Sequence, residues 1–353
     1  MTALKLGSLF DGIGVFPLAA VHCGMEPVWA SEIEARPISI TKRHFPDMLH
    51  LGDITKISGA EIPPVDVITF GSPCQDLSQI GTRNGFAGKK SSLFYQAMRI
   101  IEEMRYATNG RYPAFCIWEN VAGAFSSNDR LDFAAMLSAF TGAEVSVPPR
   151  GWAHAGMVRG GRADTAWRLL DAQYWGEPAL AQRRKRVFVV ADFAGQRAGE
   201  VLFKPRTVLP FSTISGPGGV SATQRGGVPA AQTGRQVPIV RPFSLRRMRT
   251  MAQVGDQKGF CASFGRGGEP FPTLLASVTA PFSFWYEGEE RDGFLRVLTP
   301  LECERLMGLP ENWTKYGCKN EEISDHARYR ALGNSIALPC AEYVMAGIAE
   351  VMN

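Results

Sequence analysis

The strongest constraint in this chain is a rhythm. Over the first 195 residues, short apolar runs that stop at a glycine, a proline or a polar turn alternate with longer segments of helical spacing. The runs are Leu4–Phe10, Pro27–Ser31, Val65–Phe70, Phe115–Glu119 and Arg186–Ala191. Between them, Ser92–Met104 sets Leu93, Ala97, Ile100, Ile101 and Met104 on one side of a helix. Strands separated by helices must cross over and lie parallel, and such a sheet needs helices on both faces. The expected fold class is therefore α/β, a doubly wound, mostly parallel sheet with a nucleotide-binding layout.

The rhythm fails after about residue 195. Ser212–Val237 is rich in Gly, Pro, Ser, Thr and Gln with almost no large apolar residue, and reads as loop. Short β-like runs, among them Phe271–Val278 and Phe282–Tyr286, continue to about 295 and imply a smaller, mainly β unit. Helical spacing returns at Pro300, and the chain closes on an apolar helix from about Leu338 to Met352. That helix is too short and too apolar to stand alone, so it is expected to pack back onto the first unit. The expected division is residues 1–195 plus 325–353 against 196–324.

Composition narrows the function. A chain of 353 residues suits about two domains. No apolar run approaches the ~20 residues that span a bilayer, and Met1–Leu9 lacks the core of a signal peptide, so a cytoplasmic protein without membrane attachment is expected. The seven cysteines are scattered with no CxxC pair, and the five histidines show no HxxxH or HExxH spacing, so neither disulfides nor a metal is expected. The net charge of +4 hides an uneven distribution: residues 183–249 hold 13 Lys and Arg against Asp192 and Glu200. Such a concentration suits either a polyanion-binding face or a solvated surface.

Three turns carry candidate chemistry. The first strand runs into Phe10-Asp11-Gly12-Ile13-Gly14, where glycine lets a ligand approach the backbone, although the third glycine of the dinucleotide fingerprint is absent. Glu32 follows Gly12 by 20 residues, the spacing at which a carboxylate meets ribose hydroxyls, and Asp53 follows Gly52. Each carboxylate alone also reads as a helix cap or surface charge; together with the glycine turn they suit a nucleoside such as S-adenosylmethionine. Next, Val65–Phe70 ends in Gly71-Ser72-Pro73-Cys74-Gln75, which presents a thiol at the carboxyl edge of a parallel strand, where a nearby cation or base would activate it. Lastly, Trp118-Glu119-Asn120-Val121 brings a carboxylate to the same edge, and alternation in Gln182-Arg183-Arg184-Lys185-Arg186 puts Arg184 and Arg186 on one face. Those arginines serve one site or lie on the surface.

FDGIG, Glu32, GD at 52–53, GSPCQDLS at 71–78, ENV at 119–121, QRRKR at 182–186, LTPLECERLMGLP at 298–310 and ALGNS at 331–335 occur in the order of the DNA (cytosine-5)-methyltransferase family, which this chain resembles at both ends. The resemblance implies the S-adenosylmethionine-dependent methyltransferase fold with a target recognition domain in the variable middle. It implies that Cys74 adds to C6 of a cytosine flipped out of duplex DNA, that Glu119 holds or protonates N3, and that Arg184 and Arg186 contact the base and support the catalytic loop. Phe10, Asp11, Gly12, Ile13, Gly14, Glu32, Ile33, Asp53, Ile54, Gly71, Pro73, Leu93, Asn334 and Ser335 would surround S-adenosylmethionine, which leaves as S-adenosylhomocysteine. Gln75, Ser78, Arg83, Arg246, Arg247 and Arg249 would touch DNA, and the glycine-punctuated loop Ser78–Ser92 would close over the flipped base.

The chain departs from the family in two places. Val15 stands where a second adjacent glycine is common, and Gly176-Glu177-Pro178-Ala179-Leu180-Ala181-Gln182 replaces a shorter Gly-x-Pro-Gln link, which loosens the assignment of Gln182. The expected protein is a monomer that methylates duplex DNA, either alone or beside a separately acting restriction endonuclease. A transfer RNA cytosine-5 methyltransferase and a non-catalytic DNA-binding regulator are the alternatives. A nicotinamide dehydrogenase fits less well, because a strand-end PCQ has no task there.

Overall fold

The computed structural model describes residues 3–72, 93–204, 239–243, 270, 271, 273, 274, 282–286 and 294–353. An eight-stranded sheet organises the chain. Its strands are β1 (Lys5–Leu9), β2 (Glu26–Ser31), β3 (Leu49–His50), β4 (Val67–Phe70), β5 (Phe115–Val121), β6 (Ala155–Arg159), β7 (Asp164–Asp171) and β8 (Lys185–Asp192), in the order β3-β2-β1-β4-β5-β8-β7-β6. The first five in that order are parallel, while β8, β7 and β6 run antiparallel to their neighbours. The sheet is mostly parallel, as its rhythm implies, and the antiparallel end is what the rhythm does not announce. β7 is buried on both faces at most positions, so it shows no clean alternation.

Helices cover both faces because each strand presents apolar side chains alternately to the two sides. On one side lie α1 (Val15–His22), α5 (Ala198–Leu202) and α8 (Leu338–Met352), with α2 (Ala35–His44) contributing Ile40. On the other lie α3 (Leu93–Ala107) and α4 (Leu131–Thr141), which bury Phe94, Ile100, Ile101, Phe133 and Phe140 against Trp118 and Val189. In α8, Leu338, Ala341, Val344, Met345 and Ile348 are all buried. Burying each larger side chain of that stripe contributes about 1.5–3 kcal/mol, which is why the C-terminus returns to the N-terminal sheet. Among the described residues, no single helix is long and apolar enough to cross a membrane.

The segment before α8 joins the same core. α6 (Pro300–Leu306) and α7 (Asp325–Asn334) deliver Cys303, Leu306 and Leu332, and the intervening chain delivers Met307, Leu309, Trp313 and Ile323, to the core that holds Leu6, Val15 and Phe188. Residues 298–323 thus bury their apolar side chains in the same core as the N-terminal strands. A buried cluster fixes the segment: Arg328 pairs with Glu304 at 3.0 Å and donates to Thr314 Oγ1 at 3.0 Å, while Asn312 and Thr314 backbone N–H groups donate to the Glu304 carboxylate. A smaller antiparallel sheet is built from β9 (Ile239–Phe243), β10 (Phe282–Tyr286) and β11 (Phe294–Val297), with β10 central.

Candidate active site at the carboxyl edge of the sheet

The parallel strands end level with one another. Leu9 is in register with Ser31 and with Phe70, and Phe70 with Trp118, so the turns after β1, β2, β4 and β5 open on one edge. The chain leaves β1 toward β2 on one side and returns to β4 on the other, which makes the crevice between β1 and β4 the switch point where open α/β sheets take ligands.

At that crevice, Phe10, Gly12 and Gly14 have φ values of 55°, 58° and 77°. The left-handed backbone at Gly12 leaves open space where a Cβ would stand, which fits close approach by a ligand. Glu32 fixes the loop: its Oε2 accepts from the Gly12 N–H at 2.9 Å, and its Oε1 accepts from the N–H groups of Ile33 and Glu34 at 2.7 and 2.9 Å. The carboxylate expected at ribose hydroxyls thus also clamps the glycine turn. Asp53 takes the cap reading: its Oδ1 accepts from the Thr55 N–H at 2.9 Å and caps a short turn that begins at Ile54. Those bonds hold its carboxyl below the usual range. Ile33 is 73% exposed, Phe10 and Leu93 are half-buried, and Asn334 is exposed at the end of α7. Val15 is buried in the core and leaves the open side of the loop clear.

Asp11 differs from these. Among the described residues, no hydrogen bond of good geometry reaches either of its buried carboxylate oxygens. Burial pushes its pKa up to about 7, the nearby Glu32 adds to the rise, and the hydroxyls of Ser8 and Thr41 oppose it. A buried, unsatisfied carboxylate beside an open glycine turn fits a cationic ligand group such as an ammonium or sulfonium. The residues present therefore suit the methyl donor.

The second half of the site lies one strand away. Glu119 on β5 is buried, and Arg186 Nε stands 2.9 Å from its Oε1. Burial raises the Glu119 pKa, and the cationic Arg186 and Arg184 partly offset the rise. A Cβ on Gly71 would sit 3.1 Å from Glu119 Oε2, so β4 and β5 approach closely at this point. Beyond Gly71, Ser72 is pinned by side chains of β5: Trp118 Nε1 donates to Ser72 Oγ at 3.1 Å and Asn120 Nδ2 to Ser72 O at 2.9 Å. Ser72, Trp118 and Asn120 escape the sequence reading as site residues, although ENV contains one of them. Pro73, Cys74, Gln75, Ser78, Arg83, Arg246, Arg247 and Arg249 lie outside the described residues, as does the expected lid Ser78–Ser92.

The two arginines part company. Arg186 faces Glu119, whereas Arg184 is 1% exposed and donates to the carbonyls of Leu274 and Gly333 at 2.9 and 2.8 Å and to that of Ser335. Burial, with Arg186 beside it, pushes its pKa well below the usual arginine value. Gln182, despite the altered link before it, is buried and donates to Leu306 O at 2.9 Å while accepting from the Leu274 N–H at 3.2 Å. The motif thus joins three distant segments while it brings Arg186 to Glu119. Trp313 joins a fourth: its Nε1 donates to Ile13 O at 2.8 Å, and its ring stacks on His44 with centroids 3.6 Å apart. Among the described residues, no group of His, Cys, Asp and Glu side chains converges to hold a metal ion. The thiols of Cys116, Cys303 and Cys340 are buried and pushed up by that burial, which makes them unreactive.

The sequence profile described as C-5 cytosine-specific DNA methylase matches residues 4–205 and 245–350 of this chain. Among curated relatives, a DNA N-6-adenine-methyltransferase of Escherichia phage P1 is 24% identical over 98% of this chain, which spans only 61% of that relative's length. The type II methyltransferase M1.ScrFI of Lactococcus lactis subsp. cremoris is 26% identical over 99% of this chain and 78% of its own. The fold is shared with the Entamoeba histolytica methyltransferase EhMeth, with a TM-score of 0.61 at 13% identity over 100% of both chains.

Proposed function

Because the chain belongs to the C-5 cytosine-specific DNA methylase family, we propose that it methylates C5 of a cytosine flipped out of duplex DNA, with Cys74 as the nucleophile. The observation that carries this reading is the junction of Glu119 with the strand that leads to Cys74. A buried carboxyl of raised pKa lies beside Arg186, and Ser72, two residues before the thiol, is tied to the strand of Glu119.

Each residue has a task in that reading. Cys74, as thiolate, forms a bond to C6 while the C5–C6 π electrons shift toward C5. Glu119 delivers a proton to N3 and so draws density out of the ring, a task its raised pKa favours over that of an ordinary glutamate. Arg186 orients Glu119 and contributes positive charge at the ring's polar edge. S-adenosylmethionine supplies an electrophilic methyl group, and Asp11, with the loop Phe10–Gly14 and Glu32, would hold it in the crevice between β1 and β4. Removal of the C5 proton then returns the electron pair to the ring and expels the Cys74 thiolate. The target recognition unit is assigned to the residues between α5 and α6, a narrower range than 196–324. We read the protein as a cytoplasmic monomer, acting alone or beside a separate restriction endonuclease.

A duplex oligonucleotide carrying 5-fluorocytosine tests this, since fluorine at C5 cannot leave as a proton. With the methyl donor present, wild type should become covalently attached to the DNA and Cys74→Ala should not, although it still binds the donor. Bisulfite sequencing of DNA from expressing cells should reveal protected cytosines. Methyl groups found instead on adenine N6, or only on transfer RNA, would overturn the assignment.

A further inference from the structure

A second cationic surface opens at the same edge of the sheet, on the far side of β5 and β8 from Arg184. Ala122 continues from Val121, which is in register with Arg186, and Lys185 adjoins it; both residues line a cleft with Phe125, Arg130, Arg150 and Trp152. Arg130, Arg150 and Lys185 are exposed. Among the described residues no carboxylate pairs with any of them, so the positive charges that line this cleft are not neutralised within it. Three unneutralised cations on one cleft wall are repelled by one another unless an anion lies between them.

The cleft is also rigid. Asn128, Asp129 and Arg130 all adopt left-handed backbone, with φ of 47°, 52° and 74°. The fully buried Asp132 holds this run by accepting from Ser127 Oγ at 2.5 Å and Asn128 Nδ2 at 3.1 Å. Trp152 Nε1 donates to Arg130 O at 3.0 Å, and the Trp152 ring packs edge-on against Phe133 and Trp167 at 5.0 and 5.9 Å. A segment held in an uncommon conformation displays the Arg130 guanidinium beside that of Arg150 on the cleft, an arrangement pre-organised for an anionic ligand.

We propose that Arg130, Arg150 and Lys185 bind the phosphodiester backbone of the DNA beyond the flipped cytosine. This rests on the proposed function. Lys185 opens β8 at the edge where Val121 ends β5, so the cleft lies at the same edge as Glu119 and Arg186 though on the opposite face of the sheet, within the span of a duplex whose base reaches Glu119. Fork-shaped guanidinium donors suit phosphate oxygens, and contacts with the backbone alone carry no sequence preference.

The test is equilibrium binding of a mixed-sequence duplex across a salt series, with methylation measured on the same preparations. For Arg130→Gln/Arg150→Gln, the slope of log affinity against log salt should fall by about 2, because each lost phosphate contact removes about 0.9. Affinity should drop about equally for every duplex sequence, and donor binding should be unchanged. The charge-preserving Arg130→Lys/Arg150→Lys variant should restore most of the slope, which separates lost charge from damaged folding. An unchanged slope in the Gln variant while wild type methylates DNA would overturn this inference alone. A slope that falls only with transfer RNA would overturn it as well, and a wild type that neither binds nor methylates duplex DNA would overturn the proposed function together with it.

Discussion

At the scale of single residues, two carboxyl groups set the pH behaviour. Burial raises the Glu119 pKa, so the protonated form persists to higher pH than in an ordinary glutamate, and a step that needs that proton is lost as pH rises through the shifted value. Glu119→Gln should reduce methylation about 10²–10⁴-fold and remove that alkaline limb from the rate profile, with donor binding retained. Arg186→Met removes the cation that lowers the Glu119 pKa, so the limb should move to higher pH. Asp11 acts on stability instead. Its pKa rises from 3.8 to about 7 on folding, so the unfolded chain binds fewer protons between those values, and stability falls as pH climbs through that window. Above about pH 8 the penalty is complete and at most about 4 kcal/mol. Without donor, Asp11→Asn should therefore melt at higher temperature than wild type at that pH, and donor binding should lose its strengthening between about pH 6 and 8.

At the scale of elements, strands and helices that bury a continuous apolar face were legible. Leu338–Met352, the expected span of the last helix, is α8 itself, and Phe282–Tyr286 is β10. The β6–β7 hairpin was not: β7, buried on both faces, lacks the period of two that distinguishes a strand from a short helix, and β6 is an edge strand with no fully buried residue. Packing between elements leaves its own trace in glycine. A Cβ on Gly347 would lie 2.6 Å from Val201 O, so α8 meets α5 at a point where no side chain fits. Gly347→Ala should destabilise the protein by about 1–3 kcal/mol in denaturant unfolding despite the better helix propensity of alanine. If the variant gains stability, α5 does not seat where the fold places it.

At the scale of the whole molecule, the geometry of the edge depends on ties between segments far apart in sequence. Arg184 gathers residues 274, 333 and 335, and Gln182 gathers 274 and 306. Arg184→Met would leave those carbonyls buried without a donor, a loss of about 3 kcal/mol or more, and should make the chain near residue 274 more sensitive to limited proteolysis. Arg186→Met should lose stability only where the Glu119 it leaves unpaired is ionised, a loss that fades as pH falls, while altering catalysis, so the pair would separate into one residue that supports the fold at every pH and one that serves Glu119. Equal loss of stability in both variants would contradict that division.

The linear order of residues was enough to establish the α/β class, the strand-end turns and the candidates Glu119, Glu32, Asp11 and Arg186, because strand–turn–helix punctuation and motif spacing are local properties. Tertiary structure alone decided which neighbours those side chains acquire. Alternation places Arg184 and Arg186 on one face but says nothing of the carbonyls that claim one of them. Spacing marks Glu32 as a ligand residue without revealing that the glycine turn claims its oxygens too. The return of residues 298–323 to the N-terminal core is of the same kind. Burial is a property of what packs against a segment, and Trp313 donates to Ile13, 300 residues earlier in the chain.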